Sequence, residues 1–204
     1  MKNLTPETQD QLREKNLVVK KQEEASNSQK DNSFLTLNCY NKKMPKLNVL
    51  IAGSNGYIGI QLIKLLIKHN SINIKYLCGN SSVGKKISFY EKSLSKINLP
   101  KISKFKKSYL EKVDIIFTAL PNGQAQEISN NLLKRNTLID LAADFRLHNP
   151  NDYLKWYKQK HKSISNIKKS IYSLPEINGD KIKDYKIISC PGCYPTSILL
   201  PLIP

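Results

Sequence analysis

The chain has 204 residues, 40% of them hydrophobic and 8% aromatic, and a formal net charge of +17. That length holds one domain and a fraction with a sizeable core. It has no apolar run of the roughly eighteen residues a membrane helix needs and no apolar secretory segment at its start. Its 4 cysteines are too few for a disulfide scaffold, so a reduced, cytoplasmic setting with no membrane partner is expected. Only Arg13, Arg135 and Arg146 among the 33 basic residues are arginine. Lysine is spread evenly amid Asn and Ile, whereas groove and phosphate readers favour arginine's planar fork. The charge therefore reads as solvated background, and no nucleic-acid partner is expected.

Residues 1–43 are polar and weakly periodic, and 22–33 (QEEASNSQKDNS) has the composition of disorder, so they read as an extension foreign to the fold. A fresh pattern starts at Met44, and a nucleotide-binding domain is expected over 44–190. Leu47–Ala52 (LNVLIA) is a buried-strand run, and Gly56–His69 carries Ile60, Ile63, Leu66 and Ile67 at helical spacing. Ile72–Cys78 reads as a second strand, Val113–Leu120 as a third, Gln124–Arg135 as a helix and Thr137–Ala142 as a fourth strand. A helix over Asn151–His161 and short strands over Ile171–Leu174 and Lys186–Ser189 follow. Strands alternating with helices predict an α/β, Rossmann-like fold with a mostly parallel sheet.

The first strand runs into Gly53, Ser54, Asn55, Gly56, Tyr57, Ile58 and Gly59, which open the first helix. A glycine turn between the first strand and its helix lets backbone approach a pyrophosphate, and the helix start offers free N–H groups to the anion. All seven are candidate cofactor residues. An NAD site places an acid about twenty residues further on, on the ribose hydroxyls. Here the second strand ends in Gly79, Asn80, Ser81, Ser82, Val83, Gly84, Lys85 and Lys86, with no acid. That loop can accept a 2′-phosphate, so Asn80, Ser81 and Ser82 are added as cofactor candidates and NADP is the expected cofactor.

Ser189-Cys190-Pro191-Gly192-Cys193-Tyr194-Pro195-Thr196-Ser197 follows a strand and precedes an apolar stretch. Pro195 suits the first turn of a helix, which puts Cys193 at the helix start, where the dipole favours a thiolate. Cys193 then reads as a nucleophile acting on a carbonyl, as half of a redox C-x-x-C pair, or as a buried turn cysteine. Zinc would need two more ligands. No second C-x-x-C exists and His69, His148 and His161 are scattered, so no metal is expected.

Four motifs now carry a resemblance: the Gly53–Gly59 turn, Asp140-Leu141-Ala142-Ala143-Asp144-Phe145-Arg146, Leu174-Pro175-Glu176, and Pro191-Gly192-Cys193-Tyr194-Pro195-Thr196. From Met44 on, the chain resembles N-acetyl-gamma-glutamyl-phosphate reductases of the semialdehyde dehydrogenase group. The resemblance implies NADPH-dependent reduction of an acyl phosphate, N-acetylglutamyl 5-phosphate, to its semialdehyde with phosphate release, in arginine biosynthesis. Aspartyl or amino-adipyl phosphate are alternative substrates, and a nucleotide-binding redox module without turnover is the rival reading. By carry-over Cys193 is the nucleophile that forms a thioester. Arg146 is a candidate substrate residue or a structural ion-pair partner, and Glu176 an orienting group.

The chain departs from this family twice. Cys190 stands where the family usually has Asn, which allows a Cys190–Cys193 disulfide as an off-state. The family also continues into an α+β domain that supplies an acid–base histidine and the subunit interface of a homo-oligomer. Residues 191–204 are accordingly expected to be the cysteine turn and the start of a truncated second domain.

Overall fold

The computed structural model describes residues 45–203; the extension read over 1–43 lies outside the described residues. Seven strands form one sheet: β1 Leu47–Ala52, β2 Ile72–Cys78, β3 Ile102–Ser103, β4 Ile115–Thr118, β5 Thr137–Asp140, β6 Ser170–Tyr172 and β7 Ile187–Ser189. Their order is β3-β2-β1-β4-β5-β7-β6, and all six pairings are parallel. The helices are α1 Tyr57–Leu66, α2 Gln124–Ser129, α3 Pro150–Tyr157, α4 Ile164–Ile167, α5 Pro175–Asn178 and α6 Cys193–Leu202.

β1 lies at the centre and is covered on both faces over Val49–Ala52, which is why that stretch reads as an unbroken apolar run rather than an alternation. Val49 and Ile51 point into one core with Ile63 and Leu66 of α1, while Leu50 and Ala52 point into the other with Ala125 and Ile128 of α2. The chain builds outward from β1 through β2 to β3, then crosses back to β4 on the other side. The strand order therefore reverses between β1 and β4. In open parallel sheets, ligands bind at such a point, in the crevice outside the carboxyl ends of the strands.

β1 and β2 have the predicted bounds; other elements are shorter than their apolar patterns. The first helix starts at Tyr57, with Gly56 as its N-cap, and ends at Leu66. The runs Val113–Leu120 and Thr137–Ala142 keep only β4, Ile115–Thr118, and β5, Thr137–Asp140. α2 stops at Ser129, not Arg135, because polar side chains take up its last carbonyls. The Ser129 hydroxyl donates to the Gln126 carbonyl at 2.7 Å and the Asn131 amide to the Glu127 carbonyl at 2.8 Å. α3 begins at Pro150 under an Asn149 cap and ends at Tyr157, followed by Lys158 at φ 57°. That left-handed residue ends the helix four residues early and turns His161 into the interior. There its Nε2 lies 2.8 Å from the Asp144 carbonyl oxygen.

Between β2 and β4 the chain forms no α-helix. Short 3-10 turns at Ile87–Phe89, Lys92–Leu94 and Lys107–Lys112 cover that edge, burying Ile87, Leu94 and Leu110. Among the described residues no helix is long and apolar enough to cross a membrane.

Candidate active site

The three glycines of the first turn do three different things. Gly53 has φ +85°, and a Cβ there would stand 2.1 Å from the Ala119 carbonyl oxygen. A Cβ at Gly59 would stand 2.2 Å from the Gly53 carbonyl oxygen, so this glycine lets α1 press against the turn. At Gly56 a Cβ would meet nothing closer than the Gly53 oxygen at 3.5 Å, so the protein's own packing does not require glycine there. The N–H groups of Gly53 and Ser54 both donate to the Cys78 carbonyl, which ties the turn to the end of β2. The hydroxyl of the fully buried Ser54 joins them at 3.1 Å. Ser54 thus holds the turn from within, while Tyr57 and Ile58 are exposed.

α1 begins with no side-chain cap and no acidic residue in its first turn. Its first N–H groups have no intrahelical acceptors and its dipole end is positive. An open backbone at Gly56, an uncapped helix start and the absence of acid are the features a dinucleotide pyrophosphate needs, so these residues fit that group.

A cavity of about 420 Å³ opens beside the turn across the carboxyl ends of β1, β2 and β4. Gly53, Gly79 and Asn80 form one side of it. Leu120, Gln124 and Glu127 form another, and Lys104, Phe105 and Lys107 close it from beyond β3. The Asn55 side chain lies over Gly79, where a Cβ would come within 2.7 Å of its Oδ1. Of the hydroxyls proposed after β2, Ser81 is exposed, but Ser82 is buried and its Oγ accepts from the Tyr90 hydroxyl at 2.6 Å. The Lys85 ammonium stands 4.5 Å over the Phe89 ring, and Lys86 is exposed. Sequence reasoning missed Lys104, Phe105 and Lys107, because they follow a strand of two residues that carries no periodic signal.

A second cavity, of about 290 Å³, shares Leu120 with the first and reaches Ile58, Asn122, Ala142, Arg146 and Tyr157. Its floor is organised by two fully buried carboxylates of the Asp140–Arg146 motif. Asp140 accepts from the Thr118 hydroxyl (2.8 Å) and from the N–H groups of Ala142 and Asp144 (3.1 and 3.2 Å). Burial above all, aided by the charge of Asp144, pushes its carboxyl up to about 6 against those bonds. Asp144 accepts from the N–H groups of Gly123 (2.6 Å) and Gln126 (3.3 Å) and from the Tyr153 hydroxyl (2.7 Å). It thereby caps the start of α2, where a negative charge is favoured.

The cysteine turn leaves β7 beside this floor. The Cys190 N–H donates to the Asp140 carbonyl at 2.8 Å. Arg146 donates from Nε to the Cys190 carbonyl at 3.0 Å and from Nη2 to the Leu141 carbonyl at 3.4 Å. Its partners are thus backbone carbonyls rather than the structural ion pair weighed from sequence. A Cβ at Gly192 would lie 3.2 Å from Arg146 Nη1, so the guanidinium also fits closely under the turn.

Gly192 is the N-cap of α6 and Cys193 its first residue, exposed, with no side-chain cap and no acid in the first turn. Cys190 is mostly enclosed, and burial, then the charge of Asp140, push its thiol up to about 11. Cys78, Cys190 and Cys193 are all free thiols. Glu176, in the first turn of α5, is exposed.

A parallel sheet that reverses at β1, with a glycine turn feeding an uncapped helix at the reversal, defines a Rossmann-type dinucleotide-binding protein. Residues 48–185 match the family described as semialdehyde dehydrogenase, NAD binding domain, and the chain belongs to that family. It is similar to proteins named N-acetyl-gamma-glutamyl-phosphate reductase. That of Brachyspira hyodysenteriae is 42% identical over 166 residues, 78% of this chain and 47% of the relative. That of Ehrlichia canis is 38% identical over 161 residues, 78% of this chain and 46% of the relative. The chain spans about half the length of the curated relatives it matches. Among solved structures, aspartate semialdehyde dehydrogenase II of Vibrio cholerae, complexed with ASA, has a TM-score of 0.51. It is 16% identical, with 77% of this chain and 45% of that chain covered, a likeness of fold.

Proposed function

We propose that the chain carries the nucleotide half and the nucleophile of an NADPH-dependent N-acetyl-gamma-glutamyl-phosphate reductase. That enzyme would reduce N-acetylglutamyl 5-phosphate to the semialdehyde in cytoplasmic arginine biosynthesis, as a homo-oligomer. The observation that carries this reading is the exposed Cys193 at the uncapped start of α6, on a turn held by a residue of the second cavity, Arg146. The relatives named above support the substrate.

In this reading the Cys193 thiolate attacks the acyl carbon, a thioester forms and phosphate leaves with the bonding pair. Developing negative charge on the carbonyl oxygen is met by the N–H groups of Cys193 and Tyr194 at the helix start; Pro195 has none to offer. Arg146 keeps the turn in register. The Gly53–Gly59 turn and the start of α1 hold the dinucleotide, with the 2′-phosphate side directed to Asn80, Ser81 and the lysines along the first cavity. When bound, the nicotinamide supplies the reducing equivalent that turns the thioester into aldehyde and free thiol.

The acylation half of this scheme is testable on the chain itself. Incubation with acetyl phosphate, followed by peptide mapping in a mass spectrometer, is expected to place an acetyl group on Cys193, absent from Cys193→Ser. Acetylation at Cys78 or Cys190 instead, or at no cysteine, overturns the assignment of the nucleophile.

A further inference from the structure

A third cavity, of about 440 Å³, lies by the amino ends of β5, β6 and β7, the end of the sheet opposite the glycine turn. Lys134, Lys169 and Lys186 line it, together with Asn166 and Ser165 of α4 and the apolar side chains of Leu132 and Leu133. These lysines are not scattered surface charges. Lys169 immediately precedes β6 and Lys186 precedes β7, and the N–H groups of Lys186 and Ile187 both donate to the Lys169 carbonyl at 3.1 Å. The Leu138 N–H of β5 donates to the Lys186 carbonyl at 3.0 Å. Three neighbouring strands thus fix the backbone that carries two of the ammonium groups.

The side chains are directed as well. The Lys186 ammonium donates to the Lys134 carbonyl, and the Lys169 ammonium donates to Oδ1 of the buried Asn166 at 3.1 Å. Among the described residues none of the three lysines pairs with a carboxylate. The ion pairs among the described residues are Lys64–Glu91, Arg135–Asp114 and Lys162–Glu127. Lys186 is held below the usual lysine range, first by burial and then by the charge of Lys169. Like charges gathered in a cavity without a counter-charge are a cost that a bound anion removes.

We propose that this cavity is a second anion site, which binds the phosphate group of a small phosphomonoester between Lys169 and Lys186. The apolar wall of Leu132 and Leu133 takes the organic group. Two ammonium groups and the Ser165 hydroxyl supply donors for a tetrahedral oxyanion, and the volume exceeds what a bare phosphate fills.

The test is a backbone-amide NMR titration of the full chain with phenyl phosphate. Shifts are expected at Ser165, Asn166, Lys169 and Lys186. Lys169→Gln and Lys186→Gln should each weaken binding about tenfold, and Lys169→Arg should retain it. Lys169 is exposed, so its variants keep the fold even where Lys186→Gln disturbs it, and the native spectrum reports this. Shifts confined to Gly53–Gly59, or an affinity unchanged in Lys169→Gln, overturn the site. Equal affinity for inorganic phosphate overturns the assignment of an organic group.

Discussion

Arg146 donates from Nε to the carbonyl of Cys190 at 3.0 Å, three residues before the exposed thiol of Cys193. The same guanidinium reaches the Leu141 carbonyl and lies against Gly192, so one side chain fixes both sides of the cysteine turn. Removing it leaves two carbonyls without their donor and frees the turn to move. Arg146→Ala is expected to slow acylation of Cys193 by acetyl phosphate by roughly tenfold to a hundredfold, the loss that a displacement of about 1 Å brings. Binding of ADP, which needs the glycine turn and not the cysteine turn, should stay unchanged. Lys lacks the fork that makes both bonds, so Arg146→Lys should not restore the rate. An acylation rate equal to wild type in Arg146→Ala would show that the turn holds itself.

The two thiols of the turn differ in exposure and environment. Cys193 is open to solvent, whereas burial raises Cys190 and Cys78 to about 11 each. Thiolates are the reactive form. Limited iodoacetamide at pH 7.5, read by peptide mapping, is therefore expected to modify Cys193 well ahead of Cys190 and Cys78. Labelling of Cys190 and Cys78 should rise only as the pH climbs toward their own values. Comparable labelling of Cys190 at neutral pH would contradict its enclosure beside Asp140.

Much of the fold was legible in the sequence because the central strands are buried on both faces. In LNVLIA the buried stretch Val49–Ala52 is wholly apolar, and INIKYLC is apolar but for Asn73 and Lys75; the bounds of both match the structure. Where pairing covers only part of an apolar run, the sequence overreached: Val113–Leu120 pairs only over Ile115–Thr118. β3 pairs through Leu77↔Ile102 and Cys78↔Ser103 alone, too short to leave a pattern. The site was legible where glycine is obligatory, at Gly53 and Gly59, and where a proline marks a helix start, near Cys193. The duties of Asp140 and Asp144 were not. Asp140 takes a hydroxyl from Thr118 on the neighbouring strand and Asp144 takes the N–H groups of Gly123 and Gln126, partners distant in sequence that leave no local signature.

Asp140 gives the stability a definite dependence on pH. Its carboxyl rises from an ordinary value of 3.8 to about 6 in the folded protein. The folded state thus holds this proton more tightly than the unfolded state. Its contribution is most favourable below about 4, is lost as pH rises toward 6, and is flat above. A shift of that size corresponds to about 3 kcal/mol. Asp140→Asn cannot titrate and keeps an acceptor for the Thr118 hydroxyl. Urea melts of both proteins should show wild-type stability falling relative to Asp140→Asn between pH 4 and 6. A difference independent of pH would mean that Asp140 is already ionised throughout.

The glycine turn separates folding from binding. A Cβ at Gly53 meets the Ala119 carbonyl oxygen at 2.1 Å and the backbone there has φ +85°. Gly53→Ala is expected to cost more than about 2 kcal/mol of stability, since left-handed backbone alone costs an L-residue about 1–2. A Cβ at Gly56 finds room, with 3.5 Å to its nearest neighbour. Gly56→Ala should melt within a few degrees of wild type and yet lose affinity for NADPH and NADH alike, because in the proposed site the methyl group would stand in the way of the pyrophosphate. Unchanged nucleotide affinity in a folded Gly56→Ala would remove the turn from the binding site.

The cofactor preference turns on the edge of the first cavity. No acid stands between Gly79 and Lys86 to hold ribose hydroxyls; the exposed Asn80 lines the cavity, and the exposed Ser81 follows it in the chain. Lys104 and Lys107 face the same space, whereas Lys85 is drawn toward the Phe89 ring. A 2′-phosphate placed there gains charge-assisted contacts that a ribose hydroxyl does not. NADPH is expected to bind at least tenfold more tightly than NADH by intrinsic fluorescence. Raising the salt concentration should narrow the gap, because these charges are exposed. Lys104→Gln with Lys107→Gln should weaken NADPH more than NADH, and Ser81→Asp should move the preference toward NADH by adding the acid that NAD sites use. Equal affinities in the wild-type chain would assign the two lysines to the solvated surface.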